Sequence, residues 1–167
     1  NFRSLEYAAA QNYSLEVRMA SLLHDVGKPR SKRGEGPDST FYGHQVVGAK
    51  MAVEMLDRLR YPKEFIEKVA LLVREHMFVY DPEVVTLAVV RRLLARVGAE
   101  NIDALIKVRE ADRIGSGVPK AQPYRLRYLL AMIEKVKTDP ISAKILKING
   151  EDQMRGLKVP PGRLRGQ

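Results

Sequence analysis

Residues 86–97 read TLAVVRRLLARV, and the period assigned to this run decides the fold class. Its Val and Leu content would suit a strand. Arg91, Arg92 and Arg96, however, fall at helical spacing, whereas a half-buried strand alternates apolar and polar residues one by one. The run is read as a helix. Working outward, no other segment shows period-2 alternation bounded by hairpin turns, so the expected class is all-α.

Glycine and proline divide the rest of the chain into helix-period segments. Residues 2–11 (FRSLEYAAAQ) predict an Ala-rich first helix. Ser14 reads as the N-cap of a second, with Val17, Ala20, Leu22 and Leu23 on its inner side. That helix runs to His24-Asp25-Val26 and stops at Gly27-Lys28-Pro29. Residues 29–43 (PRSKRGEGPDSTFYG) are polar, basic and rich in Gly and Pro, and predict a mobile surface loop. A long amphipathic helix follows from about Gly43, and Pro62 opens the next, which reaches His76. Further helices are expected over 83–97, 101–114 and 124–137. From 138 the composition shifts to Gly, Pro and Arg with little core material. The expected division is a helical domain over 1–137 and, over 138–167, a linker or the start of a C-terminal RNA-binding region.

Composition narrows the chemistry. At 167 residues with 45% apolar content the chain can bury a core as one domain. No run of 18 apolar residues offers a membrane span, and no leader opens the chain, so a cytoplasmic location is expected. Cysteine is absent, which excludes disulfides, thiolate nucleophiles and Cys-based metal centres. Any metal must be held by His, Asp, Glu or water. Lys and Arg number 29 against 20 acidic residues, a net charge of +9. That excess suits a polyanionic partner such as nucleic acid, or simply a well-solvated surface.

The three histidines, His24, His44 and His76, all stand at helix ends. Singly, each is more often a surface or core histidine than a ligand; jointly, they mark a place where a cleft between helices can hold a metal. His24 and Asp25 are adjacent, and adjacent helical residues point about 100° apart, so both reach one ion only over the helix end. An imidazole nitrogen and a carboxylate oxygen suit a divalent cation; alternatively, Asp25 neutralises a local charge while His24 packs inside. Asp112, in VREADRIGSG, offers a further carboxylate before a Gly-Ser-Gly turn. Its alternative is an exposed salt bridge with Arg109 or Arg113.

Taken together, LLHDVGKPRS, FYGHQVVGAKMA, LVREHM and READRIGSG, in that order, resemble the HD superfamily of metal-dependent phosphohydrolases. More narrowly, they are similar to the HD domain of bacterial tRNA nucleotidyltransferase/poly(A) polymerase proteins, the CCA-adding enzymes. The resemblance covers nearly the whole chain, and the tail INGEDQM…VPPGRLRG is similar to the segment that follows the domain in those proteins. It implies that His24 and Asp25 are the metal-binding doublet and Asp112 the closing metal-binding aspartate. His44 and His76 match histidines that complete a second metal site or contact the phosphate, and with Asp25 they are the catalytic candidates. Lys28 matches a lysine facing the substrate phosphate. The family's first metal-binding histidine lies upstream, at or just before the position of Asn1.

The resemblance thus implies a divalent metal, with Mn, Ni, Co, Mg, Fe and Zn all open. The implied activity is hydrolysis of a 2′,3′-cyclic or terminal phosphate on a nucleotide or RNA 3′ end, with tRNA as a candidate partner. No Gly-Ser turn followed by a D-x-D pair occurs, so nucleotide addition is not expected of this stretch. Charge adds candidates of its own: Lys28 and Arg30 for the phosphate, and Lys32, Arg33, Arg91 and Arg92 for an RNA backbone. Arg155, Lys158, Arg163 and Arg165 form a second basic run in the tail. Two rival readings remain: a non-catalytic helical tRNA-binding spacer, and a regulatory domain that binds a nucleotide without turning it over.

Overall fold

Thr86 starts the helix on which the class was decided: its hydroxyl accepts a hydrogen bond from the Val89 amide at 3.3 Å. The structure, a computed structural model, describes residues 1–117 and 123–138. Over these, the regular elements are α1 (Phe2–Ala10), α2 (Leu15–Leu23), α3 (Lys28–Ser31), α4 (His44–Arg58), α5 (Lys63–Glu75), α6 (Leu87–Val97), α7 (Ile102–Gly115) and α8 (Tyr124–Thr138). Short 3-10 turns at Gly36–Asp38 and Ala99–Asn101 join them, and no strand occurs among the described residues. The fold is all-α, as the sequence led one to expect.

Helix ends are set by local chemistry. Ser14 caps α2, accepting from the Val17 amide at 3.4 Å, and Glu16 places negative charge in the first turn, where the helix dipole favours it. Pro62 precedes α5, and Gly43 takes the left-handed φ of 76° that lets the chain turn into α4. Helix α5 packs on α4, α2 and α7. Its Val69, Leu72 and Val73 join Val17 and Ala20 of α2, Ala52 and Leu56 of α4, and Leu105 and Val108 of α7 in one core. Each large aliphatic side chain buried there contributes about 1.5–3 kcal/mol.

Two glycines let helices approach more closely than side chains would allow. A Cβ on Gly27 would collide with the His44 carbonyl oxygen and lie 2.6 Å from the Gly48 amide. The segment after α2 therefore lies directly against the start of α4. A Cβ on Gly115 would collide with the Ser4 hydroxyl, 2.8 Å from the Ser4 amide nitrogen. That close approach ties the end of α7 to α1.

Two segments depart from expectation. The helix expected over 83–97 starts at Leu87, because Asp81-Pro82 forms a turn in which the Asp81 carbonyl accepts from the amides of Val84 and Val85. The stretch 29–43, expected to be a mobile loop, opens with the helical turn α3, which has Pro29 in its first turn where no amide is needed. The same stretch is closed on itself by an antiparallel bridge between Arg33 and Thr40, with both bonds at 2.9 Å. Beyond Thr138, the segment expected to lead into an RNA-binding region, with Arg155, Lys158, Arg163 and Arg165, lies outside the described residues.

Candidate metal centre

Four helix ends meet at one place. His24 is the C-cap of α2 and Asp25 follows it; His44 is the first residue of α4; His76 is the C-cap of α5; Asp112 lies in the last turn of α7. Their packing through α5 and the Gly27 contact sets the convergence. Each imidazole is anchored in the same way, to the carbonyl three residues upstream. The Nδ1 atoms of His24, His44 and His76 lie 2.8, 2.9 and 2.7 Å from the oxygens of Ser21, Phe41 and Val73. A carbonyl can only accept, so every Nδ1 carries the proton and every Nε2 is directed to the cluster.

The Asp25 carboxylate bridges two of the rings, with Oδ2 3.3 Å from His24 Nε2 and Oδ1 3.4 Å from His44 Nε2. Asp112 Oδ1 lies 3.3 Å from His24 Nε2, and the Nε2 atoms of His44 and His76 are 3.4 Å apart. Asp25, His44 and His76 offer three ligand atoms within 4.8 Å of one another. The electrostatics follow from these distances. Burial of His24, which is 2% exposed, works against its protonation, but hydrogen bonds to Asp112 and Asp25 outweigh it and push its pKa up to about 9. Burial lowers His76 to about 4, helped by repulsion from His24 and His44. Burial works to raise the carboxyl of Asp25, yet the bonds from His24 and Lys28 hold it well below the usual carboxylate range. Asp112 is likewise lowered against its burial, by His24 and Arg109.

These residues fit a divalent cation on two counts. Two carboxylates converge on the His24 Nε2 atom, a set of oxygen and nitrogen donors that a divalent cation can take in place of the proton. The Nε2 atoms of His44 and His76 also face each other at 3.4 Å while both Nδ1 atoms are bonded to carbonyls, so the two rings turn their ligating nitrogens to one point. A cation there would be within reach of both. Neutral imidazoles with carboxylates are the donors that manganese, iron, cobalt, nickel and zinc accept.

Other candidates divide by position. Lys28 Nζ donates to Asp25 Oδ2 at 2.7 Å while its side chain stays 42% exposed. Arg30, on α3, and Lys32 and Arg33, after it, are exposed on the segment that begins at Lys28. Arg91 and Arg92 lie on α6, which packs on α8 and carries none of the cluster residues. Asp112 lies beside His24 and also accepts from Arg109 Nη1 at 2.7 Å, in an ion pair that is partly buried and not exposed as its alternative reading expected. Sequence reasoning missed what supports it. Ser116 Oγ donates to Asp112 Oδ1 at 3.3 Å, and Arg109 Nη2 donates to Tyr80 Oη at 3.1 Å. Arg109, one turn before Asp112, had been visible only as an ion-pair partner; Tyr80 carried no signal at all.

Residues 2–116 match the model of the HD domain family. The chain belongs to that family. All five cluster residues fall inside the matched stretch of this HD domain. Its relatives include the CC-adding tRNA nucleotidyltransferase of Thermus thermophilus, 36% identical over 89% of this chain and 33% of that protein. The A-adding tRNA nucleotidyltransferase of Deinococcus radiodurans is 33% identical over 89% of this chain and 34% of its own length. The multifunctional CCA protein of Burkholderia multivorans is 32% identical over 83% of the chain and 35% of its own length. The HD domain thus spans about a third of the length of these relatives. No solved structure matches it. No helix among the described residues is long and apolar enough to cross a membrane.

Proposed function

We propose that this HD domain is a divalent-metal phosphohydrolase acting on 2′,3′-cyclic or terminal phosphates of nucleotides or RNA ends. The observation that carries the reading is the convergence of three Nε2 atoms and two carboxylates from four helix ends, at 3.3–3.4 Å. His24, Asp25 and Asp112 would hold the metal, with His44 and His76 completing the same site or a second one. When bound there, a divalent cation would supply Lewis acidity toward a phosphoryl oxygen and lower the pKa of water.

The chain's own residues supply the rest. Backbone carbonyls hold the three Nδ1–H groups, so each ring presents Nε2 to a ligand; at His24, whose pKa is pushed up to about 9, the Nε2 proton would leave as the ligand binds. Arg109 holds Asp112 Oδ2, and Ser116 donates to Oδ1, the oxygen that lies beside His24. Lys28, partly exposed at the edge of the cluster, meets the phosphate, and Arg30 on the same helical turn adds a second cation; both offset charge developing on the phosphoryl oxygens. Where they are not metal ligands, His44 would be the general acid, while His76, whose pKa burial lowers to about 4, would contact the phosphate as a neutral ring. Because the relatives are tRNA nucleotidyltransferases, tRNA is the proposed partner, with Lys32, Arg33, Arg91 and Arg92 as backbone contacts. The domain would occupy 1–137, and 138–167 would lead into an RNA-binding region.

A second reading has its own support. Asp25 and Asp112 are already paired with Lys28 and Arg109, both at 2.7 Å, so the acidic groups are neutralised without a metal. On that reading the domain is a helical spacer that positions tRNA. The two part in one experiment: bound metal, and 2′,3′-cyclic nucleotide hydrolysis with Mn, Ni, Co and Mg, in the wild type and Asp25→Ala. Activity lost with the carboxylate supports hydrolysis. Metal-free, inactive protein that still retards tRNA supports the spacer.

A further inference from the structure

Arg109 faces two ways. Its Nη1 donates to Asp112, and its Nη2 donates to the phenol oxygen of Tyr80, over whose ring the guanidinium lies at 4.9 Å. Arg113 Nη1 donates to the same oxygen at 3.2 Å. Beside Tyr80 opens a cleft of about 400 Å³, lined by Tyr80, Arg113, Pro123, Tyr124 and Arg125. That volume lies within the range of small-ligand sites, ~300–1,000 Å³. The walls alternate aromatic faces with guanidinium groups, and a single arginine separates them from the Asp112 carboxylate.

Two features of the lining are unexplained by packing. Tyr124 is 65% exposed, an aromatic ring of little use to the core, and Tyr128 supports it with ring centroids 6.4 Å apart. Arg125 is held on the cleft wall by Asp81 at 2.9 Å while 62% of its side chain stays accessible. A planar, apolar ring that also carries negative charge fits such a site: the ring stacks on tyrosine, and its phosphate meets the guanidinium groups. An acidic peptide would meet the arginines but leave the tyrosine faces unused.

We propose that the Tyr80–Tyr124 cleft is a nucleotide subsite, in which a nucleobase stacks on Tyr124 and its phosphate is held by Arg113 and Arg125 next to the metal centre. The statement that this phosphate neighbours the hydrolysed one rests on the phosphohydrolase reading; the binding of the base does not. Arg109, touching both Tyr80 and Asp112, is the positioning residue that would relate the two sites.

The test is a shift titration followed by ¹H–¹⁵N spectra in EDTA, with adenosine 5′-monophosphate and ribose 5-phosphate as probes. The nucleotide is expected to bind at least about fivefold tighter than the base-free sugar phosphate. Tyr124→Ala, at an exposed position, should abolish that preference, since a base–aromatic stack is worth ~1–3 kcal/mol, roughly 5- to 150-fold. Arg125→Gln should weaken both probes alike. Equal affinity for the two probes in the wild type, or an undiminished preference in Tyr124→Ala, overturns the proposal. A short single-stranded RNA ending in a 3′-phosphate separates two sources of the same chemistry: tighter binding than the mononucleotide assigns an RNA end, and equal binding assigns a free nucleotide, both supporting the subsite. Because EDTA removes metal, an inactive Asp25→Ala protein that retains base preference refutes nothing here, and the two readings fail separately.

Discussion

An imidazole whose Nδ1–H is tied to its own helix cannot swing away, and this domain repeats that bond three times, at His24, His44 and His76. The repetition makes the cluster rigid before any ligand arrives. The place of His24 and Asp25 was legible, because Gly27 and Pro29 stop an apolar helix there; their role was not, since packing and local neutralisation are equally served by such a pair. Asp112 was legible only as one of two alternatives, because Arg109 at i−3 gives it an ordinary ion-pair partner. Tyr80 was illegible, since its bond to Arg109 joins residues 29 apart through a turn that leaves no periodic trace. Arg109 yields the sharpest prediction at this scale. Arg109→Lys keeps the charge but replaces the planar fork, whose two terminal nitrogens reach Asp112 and Tyr80 separately, with a single ammonium nitrogen. Metal affinity is expected to fall roughly 10- to 100-fold, as for other residues that orient ligands, with the melting temperature nearly unchanged. A metal titration of the variant that superimposes on that of the wild type would remove Arg109 from the site. His76→Ala is expected to weaken metal binding as well, and full retention of both metal and activity would exclude that ring as a ligand.

Elements reach the cluster through their ends, so what matters about each helix is where it stops and how near its neighbour lies. Existence and type of the helices were readable from apolar period and caps. Their boundaries were not always so: the turn at Asp81 delays α6 to Leu87, and Pro29 starts α3 where a loop was expected. Both are cases in which proline permits two outcomes and only packing selects one. Gly27 shows the reverse, a residue read as a helix stop whose greater role is proximity to α4. The atoms facing it are backbone and cannot rotate aside. Gly27→Ala is therefore expected to cost ~1–3 kcal/mol, the range for an overpacked interior, or several degrees of melting temperature. It should also push His44 from Asp25 and reduce metal affinity beyond what the stability loss explains. A variant that melts with the wild type would show that the two segments can part without strain.

At the scale of the whole molecule, metal binding and folding would be one equilibrium, because the candidate ligands come from four helices that only the folded core assembles. A divalent ion at a hundred times its dissociation constant should stabilise the domain by about 2.7 kcal/mol. The gain should vanish in EDTA and in Asp25→Ala, and a melting curve indifferent to metal would count against the site. Charge is the other global property, and here the sequence told less. The net +9 was plain, but a sum does not say which face carries it. The structure sets Lys28, Arg30, Lys32 and Arg33 along α3 and the segment after it, contiguous with Asp25, while Arg91 and Arg92 ride on α6. If single-stranded RNA follows the first set, four neutralised phosphates give a slope of log K against log salt near about −2.8, at ~0.7 per contact. Lys32→Gln with Arg33→Gln should then flatten it by about 1.4, and Arg91→Gln with Arg92→Gln should leave it unchanged. The opposite pattern, a slope that flattens only with the α6 pair, would put the RNA on α6, which carries none of the cluster residues, and would favour a spacer over an enzyme that acts on the end of that RNA.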